Sequence, residues 1–260
     1  MKNNKLKEKL KNGEKVFGTW SMLPAAGASN AIAQSGVDFV IIDMEHGPMS
    51  FETMEQMVKS IELENCQSII RVSDKNEQTI LRALEIGAQA VMVPHVSTVA
   101  EAEAVVKACK YKPDGERGLS PYTRVHDYCH ENLAESMKFA NENTLVGILV
   151  EGKEGIENIE KIAAVPGIDL IYLGIYDISQ SVGLPGQLNH ETVIEMQKKC
   201  AAVIRNAGKA AGSFARDLDY VEMLYKNGFQ FIAYLVDCAI LKTAYQRAGQ
   251  FFRELSKDAI

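Results

Sequence analysis

The sequence predicts an α/β fold, a parallel (β/α)8 barrel, on three observations. Short β-rich runs alternate with longer amphipathic runs along the chain. The β-rich runs number eight, which favours a closed barrel over an open doubly wound sheet. Four of them end in charge: 39–42 runs into Asp43-Met44-Glu45-His46, 68–70 into Arg71, 145–150 into Glu151, and 170–174 is followed closely by Asp177. A parallel barrel keeps its polar site at that carboxyl-terminal rim.

The strands are expected at 16–20, 39–44, 68–72, 90–96, 145–150, 170–174, 210–214 and 231–236. Several are apolar on both faces, as strands are when helices cover one side and a barrel core the other. Between them apolar residues recur at helical spacing. Met54, Met57, Val58 and Ile61 form one such set, and Ile80, Leu81 and Leu84 another. Ala102, Val105, Val106 and Cys109 follow, then Ile194, Cys200, Val203 and Ile204. Gly36, Gly87, Gly167, Gly208 and Gly228 fall between a helical pattern and the next strand, where a left-handed residue stops a helix. An open sheet binding a dinucleotide would carry G-x-G-x-x-G after its first strand, and the sequence has none there. Segment 111–130, with Pro113, Gly115, Arg117, Gly118, Pro121 and Arg124, is too long for a plain connection and reads as a lid or as a surface loop. The last helix is expected over 239–255, ending in Phe251-Phe252, as a docking face for another subunit or as core.

At 260 residues, 47% of them hydrophobic, the chain suits a single barrel domain spanning 1–260. A net charge of −6 with scattered Lys and Arg argues against a nucleic-acid partner. The five cysteines are odd in number and lack zinc-ligand or redox spacing, so reduced thiols and a cytoplasmic location are expected. Residues 1–16 lack the apolar core of a signal peptide, and no apolar run reaches the roughly 18 residues of a membrane span.

The rim residues each admit two readings. Glu151 and Asp177 lie on neighbouring units and are either a carboxylate pair for Mg²⁺ or Mn²⁺ or solvated, salt-bridged acids. Arg71 either grips a carboxylate or developing oxyanion, or pairs with a rim acid. His46, close to Asp43 and Glu45, is a general base or a rim histidine satisfied by backbone. His95 reads as a core or supporting histidine, and His126, His130 and His190 as surface residues. No strand run contains a lysine, so placement favours a metal electrophile over an imine.

Together these residues resemble the HpcH/HpaI aldolase family, the metal-dependent (class II) pyruvate aldolases. The matching stretches are Asp-Phe-Val-Ile-Ile-Asp-Met-Glu-His (38–46), Ile-Ile-Arg-Val (69–72), Ala-Leu-Glu-Ile-Gly-Ala-Gln (83–89) and Tyr-Lys-Pro-Asp-Gly-Glu-Arg-Gly (111–118). Further on come Val-Glu (150–151), Pro-Gly-Ile-Asp (166–169), Asp-Ile-Ser-Gln-Ser-Val-Gly (177–183) and Ala-Gly-Lys-Ala-Ala-Gly (207–212). The resemblance implies a TIM barrel of the phosphoenolpyruvate/pyruvate superfamily type. It implies a divalent metal (Mg²⁺ or Mn²⁺, with Co²⁺ a further option) held by Glu151 and Asp177. Arg71 would contact the enolate oxygen, and His46, supported by Asp43, would exchange the aldol hydroxyl proton. Glu85 stands where the family has an Asp near the site and a subunit boundary. Gly174, Tyr176 and Ser213 are expected to contact substrate. Hexamers, or trimers of dimers, that exchange the C-terminal helix are the implied assembly.

The chain departs from the family pattern at Leu149 (usually Gln), at Gly174-Ile175-Tyr176-Asp177 (usually Gly-Pro-x-Asp), at 233–236 (usually containing Gly) and at His95. Three functions fit the sequence: retro-aldol cleavage of a 4-hydroxy-2-oxo acid to pyruvate and an aldehyde, a citrate-synthase-like condensation on oxaloacetate with His95 as a catalytic candidate, and 2-oxo-acid binding without turnover.

Overall fold

The computed structural model describes residues 3–257. Eight strands, all parallel, close into a barrel in sequence order, with β8 returning to β1. In chain order the elements are α1 (Lys5–Lys11), β1 (Val16–Ser21), α2 (Ala26–Gln34), β2 (Phe39–Asp43), α3 (Phe51–Glu62), β3 (Gln67–Arg71), α4 (Glu77–Glu85), β4 (Ala90–Val93) and α5 (Val99–Cys109). Then follow α6 (Leu133–Asn143), β5 (Leu145–Val150), α7 (Lys153–Glu157), α8 (Ile159–Ala163), β6 (Leu170–Leu173), α9 (Ile175–Ser181), α10 (Glu191–Asn206), β7 (Ala210–Ala215), α11 (Leu218–Lys226), β8 (Phe231–Val236) and α12 (Asp237–Lys257). The fold class and all eight strands are those the sequence predicts. β4 stops at Val93 rather than residue 96, because Pro94 has no N–H for the ladder and His95 turns left-handed, at φ 56°. α12 starts at Asp237, two residues earlier than expected.

Strand alternation produces two cores. Phe39, Ile41, Ile69, Met92, Leu145, Leu149, Leu170, Tyr172 and Phe231 fill the barrel interior, where Phe39 and Phe231 stack with centroids 3.9 Å apart. The other strand face, including Val40, Ile42, Ile70, Val91, Ile148 and Ile171, packs under the helices. Helix α1 falls in residues 1–16, for which the sequence predicts only the lack of a signal peptide's apolar core. Asn4 caps it by accepting from the Lys7 amide, and Leu6 and Leu10, one turn apart, join the interior core at the amino-terminal mouth.

Segment 111–130 is not a lid on the carboxyl-terminal rim. It runs past the carboxyl ends of α3 and α4, which lie at the opposite mouth. Arg124 Nη2 sits 2.6 Å from Glu62 Oε2, and Arg117 Nη2 2.7 Å from Glu85 Oε1. His126, expected at the surface, is fully buried: its ring contacts Ser136 Oγ at 2.7 Å and Tyr111 Oη at 3.0 Å. Burial depresses its pKa, Arg117 lowers it further, and the ring is held neutral. His130 and His190 each accept a backbone N–H two residues on, as loop and helix-start residues do. No helix among the described residues is long and apolar enough to cross a membrane.

Candidate active site

The carboxyl-terminal mouth of the barrel opens into a cavity of about 420 Å³. Asp43, His46, Arg71, Glu151, Gly174, Tyr176 and Asp177, all singled out from the sequence, line it. They meet because each follows a strand that ends at this rim, and Asp43 and Arg71 are direct partners in the β2–β3 register.

Arg71 is both an ion pair and a site residue. Its Nε donates to Asp43 Oδ1 at 2.8 Å, its Nη2 donates to Asp43 Oδ2, and its Nη1 lies 3.0 Å from Glu45 Oε2. The guanidinium carbon stands 4.5 Å from the centre of the Trp20 ring, so the fork is fixed from both sides. Asp43 does not touch the His46 imidazole, as a carboxylate-supported base would require. Its Oδ1 instead accepts from the backbone amides of Glu45 (3.0 Å) and His46 (3.2 Å) and so shapes the turn that carries His46.

Glu151 follows β5 and is 5% exposed. Burial pushes its carboxyl up to about 7; His95 and Arg71 pull it down, while Glu45 and Asp177 add like charge. His95 is not a core residue. Its exposed ring lies on the rim, with Nε2 2.9 Å from Glu45 Oε1 and Nδ1 2.6 Å from Glu151 Oε2. Gly174 is there because nothing larger fits: a Cβ would lie 2.5 Å from Glu151 Cγ. One turn of chain later Asp177 sits in the first turn of α9, exposed to the same cavity.

Two expected site residues lie elsewhere. Ser213 faces away from the barrel interior: it is buried under α10, accepting from Gln197 Nε2 (3.0 Å) and donating to the Leu173 carbonyl (3.2 Å). One position along a strand reverses the face, and Phe214 is the cavity residue. Glu85 ends α4 at the opposite mouth, against Arg117 and Tyr111, and does not line the cavity.

Residues missed from the sequence are Trp20, Tyr172 and Asp237. Trp20 Nε1 donates to Tyr172 Oη at 3.2 Å across the cavity floor. Asp237 accepts from Ser21 Oγ (2.8 Å), Met22 N (3.0 Å), Leu23 N (3.1 Å) and Cys238 N (2.7 Å), tying the end of β1 to the start of α12. An acid directly after the eighth strand obeys the same strand-end rule that picked out the others.

Among the described residues the cavity is lined by three carboxylates, Asp43, Glu151 and Asp177, with Glu45 beside them on Arg71, against one lining guanidinium, that of Arg71. An anionic ligand entering that field needs a further cation. Among the described residues no three His, Cys, Asp or Glu side chains cluster to hold a metal alone. Glu151 and Asp177 supply two hard oxygen donors facing one cavity, a set that binds Mg²⁺ or Mn²⁺ when water and ligand oxygens complete the shell. The residues therefore fit a divalent cation.

The chain is similar to known proteins over nearly its whole length. The family model described as HpcH/HpaI aldolase/citrate lyase matches residues 17–244. Hydroxypyruvate/pyruvate aldolase of Roseobacter denitrificans is 30% identical, over 92% of this chain and 93% of that protein. The crystal structure of an HpcH/HpaI aldolase/citrate lyase family protein from Burkholderia cenocepacia superposes with a TM-score of 0.91 at 29% identity, covering 96% of this chain and 99% of that one. The structure of citrate synthase SbnG gives a TM-score of 0.88 at 29% identity, with 97% and 98% covered.

Proposed function

The chain belongs to the HpcH/HpaI aldolase/citrate lyase family, and on that premise we propose that it is a metal-dependent aldehyde-lyase cleaving a 4-hydroxy-2-oxo acid to pyruvate and an aldehyde. The observation that carries this reading is the pairing, in one mouth, of two carboxylates facing a shared cavity with a clamped guanidinium. Glu151 and Asp177 would hold Mg²⁺ or Mn²⁺, with Co²⁺ also compatible. The cation would supply Lewis-acid stabilisation of the 2-oxo-acid oxygens, worth several kcal/mol. Arg71 faces the C2 oxygen and stabilises its charge as the C3–C4 bond breaks and the electron pair moves into an enolate. His46 takes the C4 hydroxyl proton, directly or through water, the aldehyde departs, and C3 of the enolate gains a proton from water to give pyruvate. Asp43 and Trp20 keep Arg71 in place. Gly174 and Tyr176 border the substrate.

NMR of pyruvate C3 proton exchange in D₂O tests this. Exchange that requires Mg²⁺ or Mn²⁺ and stops with EDTA is expected. No exchange from folded protein would move the function to another oxo acid or to binding alone.

His95 favours a second reading. Its ring bridges Glu45 and Glu151 where the first reading places a cation nearby. A citrate-synthase-like condensation on oxaloacetate would use this histidine as an acid–base group, and its activity would survive chelation.

The barrel acts as a single catalytic domain in a homo-oligomer, a hexamer or trimer of dimers. The support is α12, which exposes Leu241, Tyr245, Phe251 and Leu255 along 21 residues. Light scattering at micromolar concentration checks the state, and a monomer would reject it. The five unpaired cysteines support a cytoplasmic location.

A further inference from the structure

We infer that the aldehyde handled by this site is apolar and uncharged, and that Leu235 is the side chain that selects it. The inference rests on the aldolase reading above and adds the class of acceptor. The mouth is divided. Charge comes from β2, β3, β5 and the first turn of α9, whereas the facing wall is Met22, Phe214, Leu235, Val236 and Ala239, from β1, β7, β8 and α12. Arg71 is the only Lys or Arg lining the cavity among the described residues. Its single charge is already shared by Asp43 and Glu45, and its remaining N–H groups go to the C2 oxygen on the aldolase reading. A second carboxylate on the acceptor would be desolvated against the apolar wall without a cation to meet it. A polyol acceptor would leave hydroxyls unpaired there.

The wall is built by a deliberate irregularity. Ala233 pairs with Gly18 and Val236 with Trp20, so β8 carries one residue more than β1 between these points. Thr19 Oγ1 donates to the Tyr234 carbonyl at 2.8 Å and secures the bulge. In a regular strand residues 235 and 236 would face opposite ways; the bulge brings both to the cavity. Leu235 takes φ 50°, a conformation glycine adopts without cost and a branched-chain residue does not. A leucine kept in that conformation, with its side chain on the cavity, is held there for what the side chain contacts.

The test is aldol addition of pyruvate to hexanal, glycolaldehyde and succinic semialdehyde, using the full chain with Mn²⁺. Pyruvate C3 loses a proton, the C3–C4 bond forms to the aldehyde carbon, and the aldehyde oxygen gains a proton. Expected is a kcat/KM for hexanal at least about tenfold above both others. Leu235→Gly should cut that preference by about tenfold or more without lowering Tm, since glycine relieves the backbone. Val236→Thr, of equal shape, should reduce the preference in the same direction. Equal or better use of succinic semialdehyde or glycolaldehyde, while pyruvate exchange is intact, overturns the acceptor inference alone. Parallel loss of all three additions in Leu235→Gly with a lower Tm makes Leu235 a structural residue and overturns its selecting role. Absence of pyruvate exchange in the unaltered protein overturns the aldolase reading and this inference with it.

Discussion

The two mouths of the barrel are ends of the same eight strands, yet they are chemically opposite. The amino-terminal mouth is stoppered by Leu6 and Leu10 of α1. Two ion pairs brace that plug: Lys7 with Asp169 at 3.0 Å and Lys9 with Asp38 at 2.7 Å. The carboxyl-terminal mouth opens into a cavity, and among the described residues the acids lining it outnumber Arg71, its one lining guanidinium. Ion-paired charge at a plugged end is an arrangement for stability. Unmatched charge around a cavity costs stability and is retained for binding and chemistry.

Substitutions can break this contrast. Glu151→Gln removes one of the two carboxylates proposed to hold the cation. Pyruvate exchange should fall about 10³-fold, and Mn²⁺ affinity, read by electron paramagnetic resonance, should fall with it. Unchanged affinity would remove Glu151 from the ligand set. Arg71→Lys keeps the charge but loses the fork shared with Asp43 and Glu45. A loss of about 10²–10³ in rate is expected, and full activity would sink the enolate role. Leu6→Ala acts on the other mouth. Denaturant unfolding should show a loss of about 2–5 kcal/mol, with the exchange rate per folded molecule unchanged; a matching loss of rate would mean that the two ends are coupled.

The smallest effect concerns pH. His126 has a folded-state pKa below its unfolded value, chiefly through burial. The unfolded chain therefore binds the extra proton first as pH falls, and stability is full above about pH 6.5 and declines below it. Thermal unfolding between pH 7 and pH 5 should show the decline, and His126→Asn should flatten it. A curve of the same slope in the variant would place the titration elsewhere.

Several strands were legible because they are buried on both faces and read as apolar runs, as β2, β4, β5 and β6 do, and the rim because four runs end in charge. What escaped was set by contacts distant in sequence. His126 lies in a polar stretch, and its ring is held inside by Ser136 and Tyr111, ten and fifteen residues away. Helix α1 is seven residues long, and its two leucines gain meaning only once a barrel mouth is there to fill. Ser213 shows the limit set by strand period: the right strand end was recognisable, but one step of register decides between Ser213 and Phe214. His95 could be located near a strand end from the sequence, but not its two carboxylate neighbours, which come from β2 and β5.

The left-handed residue at 235 bears on how this protein can change over generations. Most pocket substitutions trade activity against folding, because the side chain removed was also packing something. At position 235 the backbone already has the shape that glycine prefers. The chain can therefore lose that side chain to glycine without first passing through a poorly folded ancestor, and if Leu235 selects the aldehyde as inferred, that choice is open to change at a single position.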